Sequence, residues 1–167
     1  MNNQVKRNYL EIKSINELIE LKKPLENLHI EKVFPGDFQL NKFFYKEIGK
    51  KHRWIDRLTW SDKNWTDYLN TLGVATYILK NKEDLVGYFE QNIYSQNKEC
   101  EIAYFGILEE YIGKKIGSYL LSEAIKKSFE TGTKRIWVHT CSLDHKHALD
   151  NYLSRGMKVF KSESISF

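Results

Sequence analysis

Residues 99–121 read ECEIAYFGILEEYIGKKIGSYLL. An apolar run from Ile102 to Leu108 leads into a polar turn, Glu109-Glu110-Tyr111. Ile112-Gly113-Lys114-Lys115-Ile116-Gly117 follows and opens directly into an amphipathic segment. The order is strand, glycine-containing loop, helix N-terminus. Small residues in such a loop let backbone N–H groups approach an anion, and the helix dipole adds partial positive charge at the same point. Two glycines alone are a weak signal, so the flanking chain has to carry the reading.

Upstream, Val74 to Leu79 is rich in β-branched and aromatic residues, Lys80 to Asp84 is a polar turn, and Leu85 to Tyr94 is a second extended run. This is the pattern of an antiparallel hairpin. Glu99 to Leu108 makes a third strand, whose near-continuous apolar character puts it in the sheet centre. Downstream, Gly117 to Glu130 places Leu120, Leu121, Ala124, Ile125 and Phe129 on one helical face, and Thr131-Gly132 closes it. Arg135 to Cys141 is a fourth strand, completing a βαβ unit if it runs parallel to the third. Lys146 to Arg155 predicts a last helix with Asp144 as its N-cap and Gly156 as its stop, and Met157 to Phe160 a closing strand.

Before the meander the pattern is mainly helical. Tyr9 to Lys13 is strand-like, and Ser14-Ile15-Asn16-Glu17 fits a capping box that predicts a helix to about Lys23, ended by Pro24. Leu28 to Val33 alternates like a short strand. Phe38 to Ile48 has helical spacing, and Ser61 caps a further helix bearing Trp65, Tyr68, Leu69 and Leu72. One domain over 1–167 is expected, with a largely helical part (1–73) and a sheet-bearing part (74–167).

The chain has 167 residues, 41% hydrophobic and 29% charged, enough for one packed core. A net charge of +4 suits an anionic ligand as well as nucleic acid. Basic and acidic residues are interleaved, however, and no nucleic-acid-binding motif occurs, so nucleic acid is not an expected partner. Cys100 and Cys141 lie in apolar runs without CxxC spacing and read as buried free thiols of a reducing compartment. Met1 to Arg7 has no apolar core, and no run reaches membrane-spanning length, so a cytoplasmic, membrane-independent protein is expected. The five His and two Cys show no ligand spacing, so no metal is expected, and there is no GxSxG nucleophile motif.

Two motifs in this order resemble the GNAT superfamily of acyl-CoA-dependent N-acetyltransferases, over roughly Val74 to Phe160. The family's pyrophosphate loop has Arg or Gln, two residues, Gly, one residue, then Gly or Ala. Here those slots hold Ile112, Lys115 and Gly117, and only the last fits; Gly113 matches a glycine that commonly follows the Arg. The second motif is a helix ending in Tyr and a Gly-aromatic pair. Ala148, Tyr152 and Gly156 match it, while His145 stands where Asn is usual and Met157 where Phe is usual. Trp137 to His145, with the WSDKNW stretch upstream, is similar to one bacterial branch of the superfamily. The resemblance implies a mixed, mostly antiparallel α/β sheet with helices on both faces and a βαβ crossover carrying the loop. It also implies acetyl-CoA as donor and an amine as acceptor, attacking directly in a ternary complex.

By that resemblance, Phe105, Gly106 and Ile107 hold the pantetheine arm, and Ile112, Gly113, Lys114, Lys115, Ile116, Gly117 and Ser118 the pyrophosphate, with His145 nearby. Gly106 reads equally as a packing glycine. A side chain at Lys115 costs something if its backbone needs positive φ. Glu101, the one carboxylate adjoining the apolar strand, is the candidate base, with His139 as alternative. Tyr152 is the candidate acid for the leaving thiolate. The helices before the meander should cover the acceptor, where Trp54, Asp56, Arg57 and Trp60 combine aromatic walls with both charge signs, beside His52. A non-catalytic acyl-CoA-binding module on the same fold is the alternative. Monomer and homodimer both stay open: the end at Phe167 leaves little room for the family's final hairpin strand, which a partner chain would then complete.

Overall fold

The structure is a computed structural model and describes residues 4–166. Seven strands, β1 (Gln4–Ile12), β2 (Leu28–Lys32), β3 (Val74–Asn81), β4 (Asp84–Tyr94), β5 (Glu99–Ile107), β6 (Arg135–Cys141) and β7 (Lys158–Ser166), form one sheet. Four helices, α1 (Phe38–Gly49), α2 (Asp62–Leu69), α3 (Ile116–Glu130) and α4 (Ala148–Ser154), pack against it. The sheet order is β2-β3-β4-β5-β6-β1-β7. Every pair is antiparallel except β5–β6, which is parallel and encloses α3, so the expected mixed sheet with a βαβ crossover is present.

Alternation along β4 shows how the two faces are used. Glu90 points to α1, where Asn41 Nδ2 donates to it at 2.9 Å. Gln91, the next residue, points to α3 and donates to Ser128 Oγ at 3.0 Å. The larger core lies on the α3 side, where Leu120, Leu121, Ala124 and Ile125 pack with Leu10, Ile102 and Ile136. On the other side Phe44 of α1 stacks on Tyr88 at 4.9 Å. Ser61 and Asn64 form a reciprocal capping box that starts α2.

The first seventy residues differ from expectation. Instead of a helix to Lys23, Ser14 caps a single 3-10 turn, Ile15–Glu17. Residues 1–73 also supply β1 and β2, and β1 lies inside the sheet between β6 and β7. The closing strand extends well past Phe160, to Ser166, and pairs along β1; Phe167 and residues 1–3 lie outside the described residues. Asp144 does not cap α4, which begins after His147. Its carboxylate instead accepts from the Thr140 hydroxyl at 2.6 Å and the Cys141 N–H at 2.9 Å, fixing the turn after β6.

Candidate active site

β5 and β6 pair over only three positions, from Glu99–Arg135 to Glu101–Trp137, although both strands continue beyond. Among the described residues no strand pairs with that side of β5 past Glu101, so the sheet opens there. Ala103 is also an extra residue opposite β4, because Glu90 faces Tyr104 while Gln91 faces Ile102. Such a bulge re-aims the strand. A cavity of about 800 Å³ fills the opening and reaches both faces of the sheet. The loop between α1 and α2 spans its mouth. There His52 Nδ1 donates to the Leu143 carbonyl at 3.1 Å, and Lys51 pairs with Glu109.

The cavity collects most of the residues expected at the site. Phe105, Gly106 and Ile107 of β5 line it, as do Ile112, Gly113 and Lys115 of the loop and Gly117 and Ser118 of α3. Lys114 does not, its ammonium lying 5.8 Å from the Tyr111 ring centroid, and Ile116 is fully buried in the core. Gly106 has a packing reason for being glycine: a Cβ there would meet Ile48 Cγ2 at 2.6 Å.

In the loop, Gly113 has φ +89° with open space around it. Lys115 has φ 63° and ψ 9° at the N-cap of α3, with no side-chain cap. The first N–H groups of α3 therefore lack an intrahelical partner and open onto the cavity side. At Gly117 a Cβ would meet only Ile107 Cγ1, at 3.6 Å, so a methyl fits there. Asn151 Nδ2 ties α4 to this turn by donating to the Gly117 carbonyl at 3.4 Å, while its Oδ1 is buried without a hydrogen-bond partner among the described residues. Unpaired helix N–H groups at this loop fit an anionic, phosphate-bearing group, whereas the Asn151 oxygen, an acceptor, adds nothing to that fit.

Glu101 and Tyr152 reach the cavity from opposite faces. Glu101 shares the α1 side with Tyr104, and burial raises its pKa against the opposing effects of a Tyr94 hydrogen bond and the Arg57 charge. Tyr152 of α4 lies on the α3 side, 6.4 Å from the Phe105 ring, with burial and then Asp144 pushing its pKa up. His139 lines the α1 side, and burial, then Arg7, lower its pKa. His145 also lines the cavity and accepts the His147 N–H at its Nδ1, 3.2 Å away.

Of the acceptor-side residues, Trp54, Asp56 and Arg57 line the cavity and Trp60 does not. Arg57 Nη1 is bound to both oxygens of Glu90, at 3.0 and 3.2 Å, and Trp60 stacks over its guanidinium at 4.7 Å. Glu101 adjoins the apolar run of β5. The neighbouring β4 carries a second carboxylate, Glu90, which is fully buried and directly follows the apolar run from Leu85 to Phe89. Arg7 and Asn151 also line the cavity without having been expected there; Asn151 adjoins the Tyr152 motif, whereas nothing local marks Arg7.

The site thus consists of a mixed sheet whose parallel pair parts around a cleft, with a glycine-bearing helix N-terminus at the rim. The chain belongs to the GNAT acetyltransferase family, whose sequence model matches residues 39–157. A GCN5-related N-acetyltransferase from Sphaerobacter thermophilus superposes with TM-score 0.76 at 14% identity, over 98% of this chain and 51% of that one. One from Kribbella flavida gives 0.67 at 12%, over 96% and 57%. This chain thus spans little more than half the length of either. An aminoglycoside acetyltransferase from an uncultured soil metagenomic sample gives 0.65 at 16%, over 77% and 87%. These likenesses are of fold. No curated protein matches the chain in sequence.

Among the described residues no group of three His, Cys, Asp or Glu is placed to hold a metal, and no helix is long and apolar enough to cross a membrane.

Proposed function

We propose that this protein is an N-acetyltransferase that moves an acetyl group from acetyl-CoA to a primary amine by direct attack in a ternary complex. The observation that carries this reading is the approach of Glu101 and Tyr152 to one cavity from opposite faces, where β5 and β6 part. Acetyl-CoA supplies the activated acetyl group. The α3 N-terminus, Gly113, Lys115 and Ser118 would hold its pyrophosphate, and the unpaired edge of β5 at Phe105 to Ile107 its amide-bearing arm. Glu101 takes a proton from the acceptor on the α1 side, and Tyr152 gives one to the leaving sulfur on the other. The two free thiols, Cys100 buried with its pKa pushed up to about 11, support a reducing, cytoplasmic setting.

Calorimetry with acetyl-CoA, followed by thiol release across an amine panel, tests the reading. Saturable binding and amine-dependent release are expected. Binding without release from any amine would instead favour a non-catalytic acyl-CoA module, for which Ile112 and Lys115 in the loop are the motivating departures.

Glu101→Gln is expected to lower turnover about tenfold at neutral pH and to move the pH of half-maximal rate upward. The carboxylate must be deprotonated to act, so the wild-type rate rises with pH through a Glu101 pKa above its ordinary value. Without it, the rate follows the acceptor amine's own deprotonation. An unchanged pH–rate profile removes Glu101 from this role.

Lys115→Gly is expected to stabilise the fold by about 0.5–1 kcal/mol, since glycine adopts positive φ without a Cβ penalty. It should also weaken acetyl-CoA binding severalfold at low ionic strength, the difference fading as salt screens the lost ammonium. Thermal melts and a salt series of dissociation constants read the two effects. Tighter binding by the variant would assign the contact to the backbone alone.

A further inference from the structure

The cavity does not end at the parting strands. On the α1 side it continues across β6 to β1, and charges stand at its two ends. Glu101 lies opposite Trp137 in the β5–β6 ladder, and Arg7 lies opposite Cys141 in the β6–β1 ladder. Opposed residues share a face, and Trp137, His139 and Cys141 alternate onto the same one. Four residues along a strand and two strand spacings across put the two Cα atoms about 16 Å apart. Both residues line the cavity, so a ligand that touches both must span the stretch between them. His139 and Cys141 line the cavity between them, and burial lowers the histidine's pKa and raises the thiol's. The middle is therefore uncharged at neutral pH. Asp56 and Arg53 of the loop between α1 and α2 add one charge of each sign.

Arg7 has capacity to spare. Its Nη1 lies 3.8 Å from Glu163, beyond hydrogen-bond distance, and its Nε is buried with no hydrogen-bond partner among the described residues. Glu163 is already engaged, accepting the Tyr9 hydroxyl at 2.6 Å with Lys161 at 3.6 Å. Tyr9 and Glu163 keep the guanidinium above its ordinary pKa, so it stays a cation. The Arg7 side chain keeps 29% of its surface exposed and lines the cavity, and Arg binds carboxylates and phosphates through a planar fork of donors.

We propose that the acceptor is a small primary amine that carries an anionic group, carboxylate or phosphate, with its amine at Glu101 and its anion on Arg7. This rests on the acetyltransferase reading in taking the Glu101 side of the cavity as the acceptor site. The anion sets register along the sheet, so that the amine meets the opening between β5 and β6.

The test uses matched pairs on the full chain: ω-amino acids of two to five methylenes against their primary carboxamides, and O-phosphoethanolamine against ethanolamine. Calorimetry measures binding of each pair, and thiol release measures kcat/KM. The anionic member is expected to be preferred at least about tenfold in both readouts, and the two pair types tell carboxylate from phosphate. Arg7→Gln should bring the ratio within a pair to near one, and Arg7→Lys should restore part of it. That ratio is untouched by a general loss of activity, so a merely structural role for Arg7 leaves it unchanged. Melting curves exclude misfolded variants. Equal binding of both members, a preference that survives in Arg7→Gln, or no binding of any member overturns the inference. A binding preference without thiol release keeps the site for an amine that carries an anion and overturns the acetyltransferase reading alone.

Discussion

Replacing Tyr152 with phenylalanine is expected to lower turnover about a hundredfold while acetyl-CoA affinity stays within about twofold. The side chain is nearly buried on α4, beside Phe105 and within the main core, so the ring packs equally well without its hydroxyl. What is lost is a proton donor. Burial, reinforced by the negative charge of Asp144, holds the phenol above its ordinary pKa, so it is fully protonated at neutrality. A CoA thiolate leaving on the α3 side would then have to take its proton from water. The contribution of a positioned acid, about 10²–10⁴-fold, is lost from kcat and not from binding. Stopped-flow or steady-state thiol release gives kcat, calorimetry gives affinity, and a thermal melt shows that the core is intact. Unchanged turnover with an unchanged melt would make Tyr152 a packing residue only.

The part of the chain from β3 to α3 was legible because its patterns are local. Extended runs alternate with polar turns, and then a glycine-bearing loop meets an amphipathic helix. Where the pattern misled, tertiary contacts had claimed the backbone. Ile15, Leu18, Ile19 and Leu21 have helical spacing, but the Ile19 N–H bonds the Arg155 carbonyl at 3.0 Å and the Leu21 N–H bonds Ser122 Oγ at 3.2 Å. Those donors are unavailable to a helix, and Ile15 and Ile19 remain half exposed. The place of β1 could not be read at all. It precedes every other element yet pairs with β6 and β7, and nothing local encodes a partner more than a hundred residues away. For the same reason Arg7 gave no signal in the sequence, although it stands in the cavity beside residues of β6. Lys115 is a different case. The doubt its residue type raised is answered by its positive φ, a conformation that glycine adopts without strain.

Glu90→Gln is expected to destabilise the fold by about 3–5 kcal/mol, the range for removing one partner of a buried ion pair. For a chain of this size that lowers Tm by roughly 6–20 °C. Glu90 has no exposed surface, and it accepts from Arg57 Nη1, Asn41 and the Tyr68 hydroxyl. Glutamine keeps the shape and some of these bonds but leaves the Arg57 charge unanswered. Burial, the largest influence, lowers that guanidinium's pKa, and Glu90, Tyr68 and Tyr104 together hold it above its ordinary value; without Glu90 burial is less opposed, but a guanidinium is too basic to lose its proton near neutrality. The rings of Tyr68 and Tyr104, each 4.2 Å from the guanidinium carbon, soften the loss without matching a carboxylate. Removing the cation as well, in Glu90→Gln with Arg57→Met, should recover much of the stability, and a double-mutant cycle should show strong coupling. The effect also reaches the cavity. The Arg57 backbone N–H donates to the Tyr45 hydroxyl at 3.0 Å, anchoring the loop that carries Trp54 and Asp56. At temperatures where the single variant is still folded, KM for the acceptor should therefore rise more than the dissociation constant for acetyl-CoA, whose proposed contacts lie on β5 and α3. A loss below about 1 kcal/mol would mean that water reaches the pair and screens it, and a variant that weakened acetyl-CoA binding as much as acceptor binding would place the disturbance in β5 itself, through Tyr104, rather than in the loop.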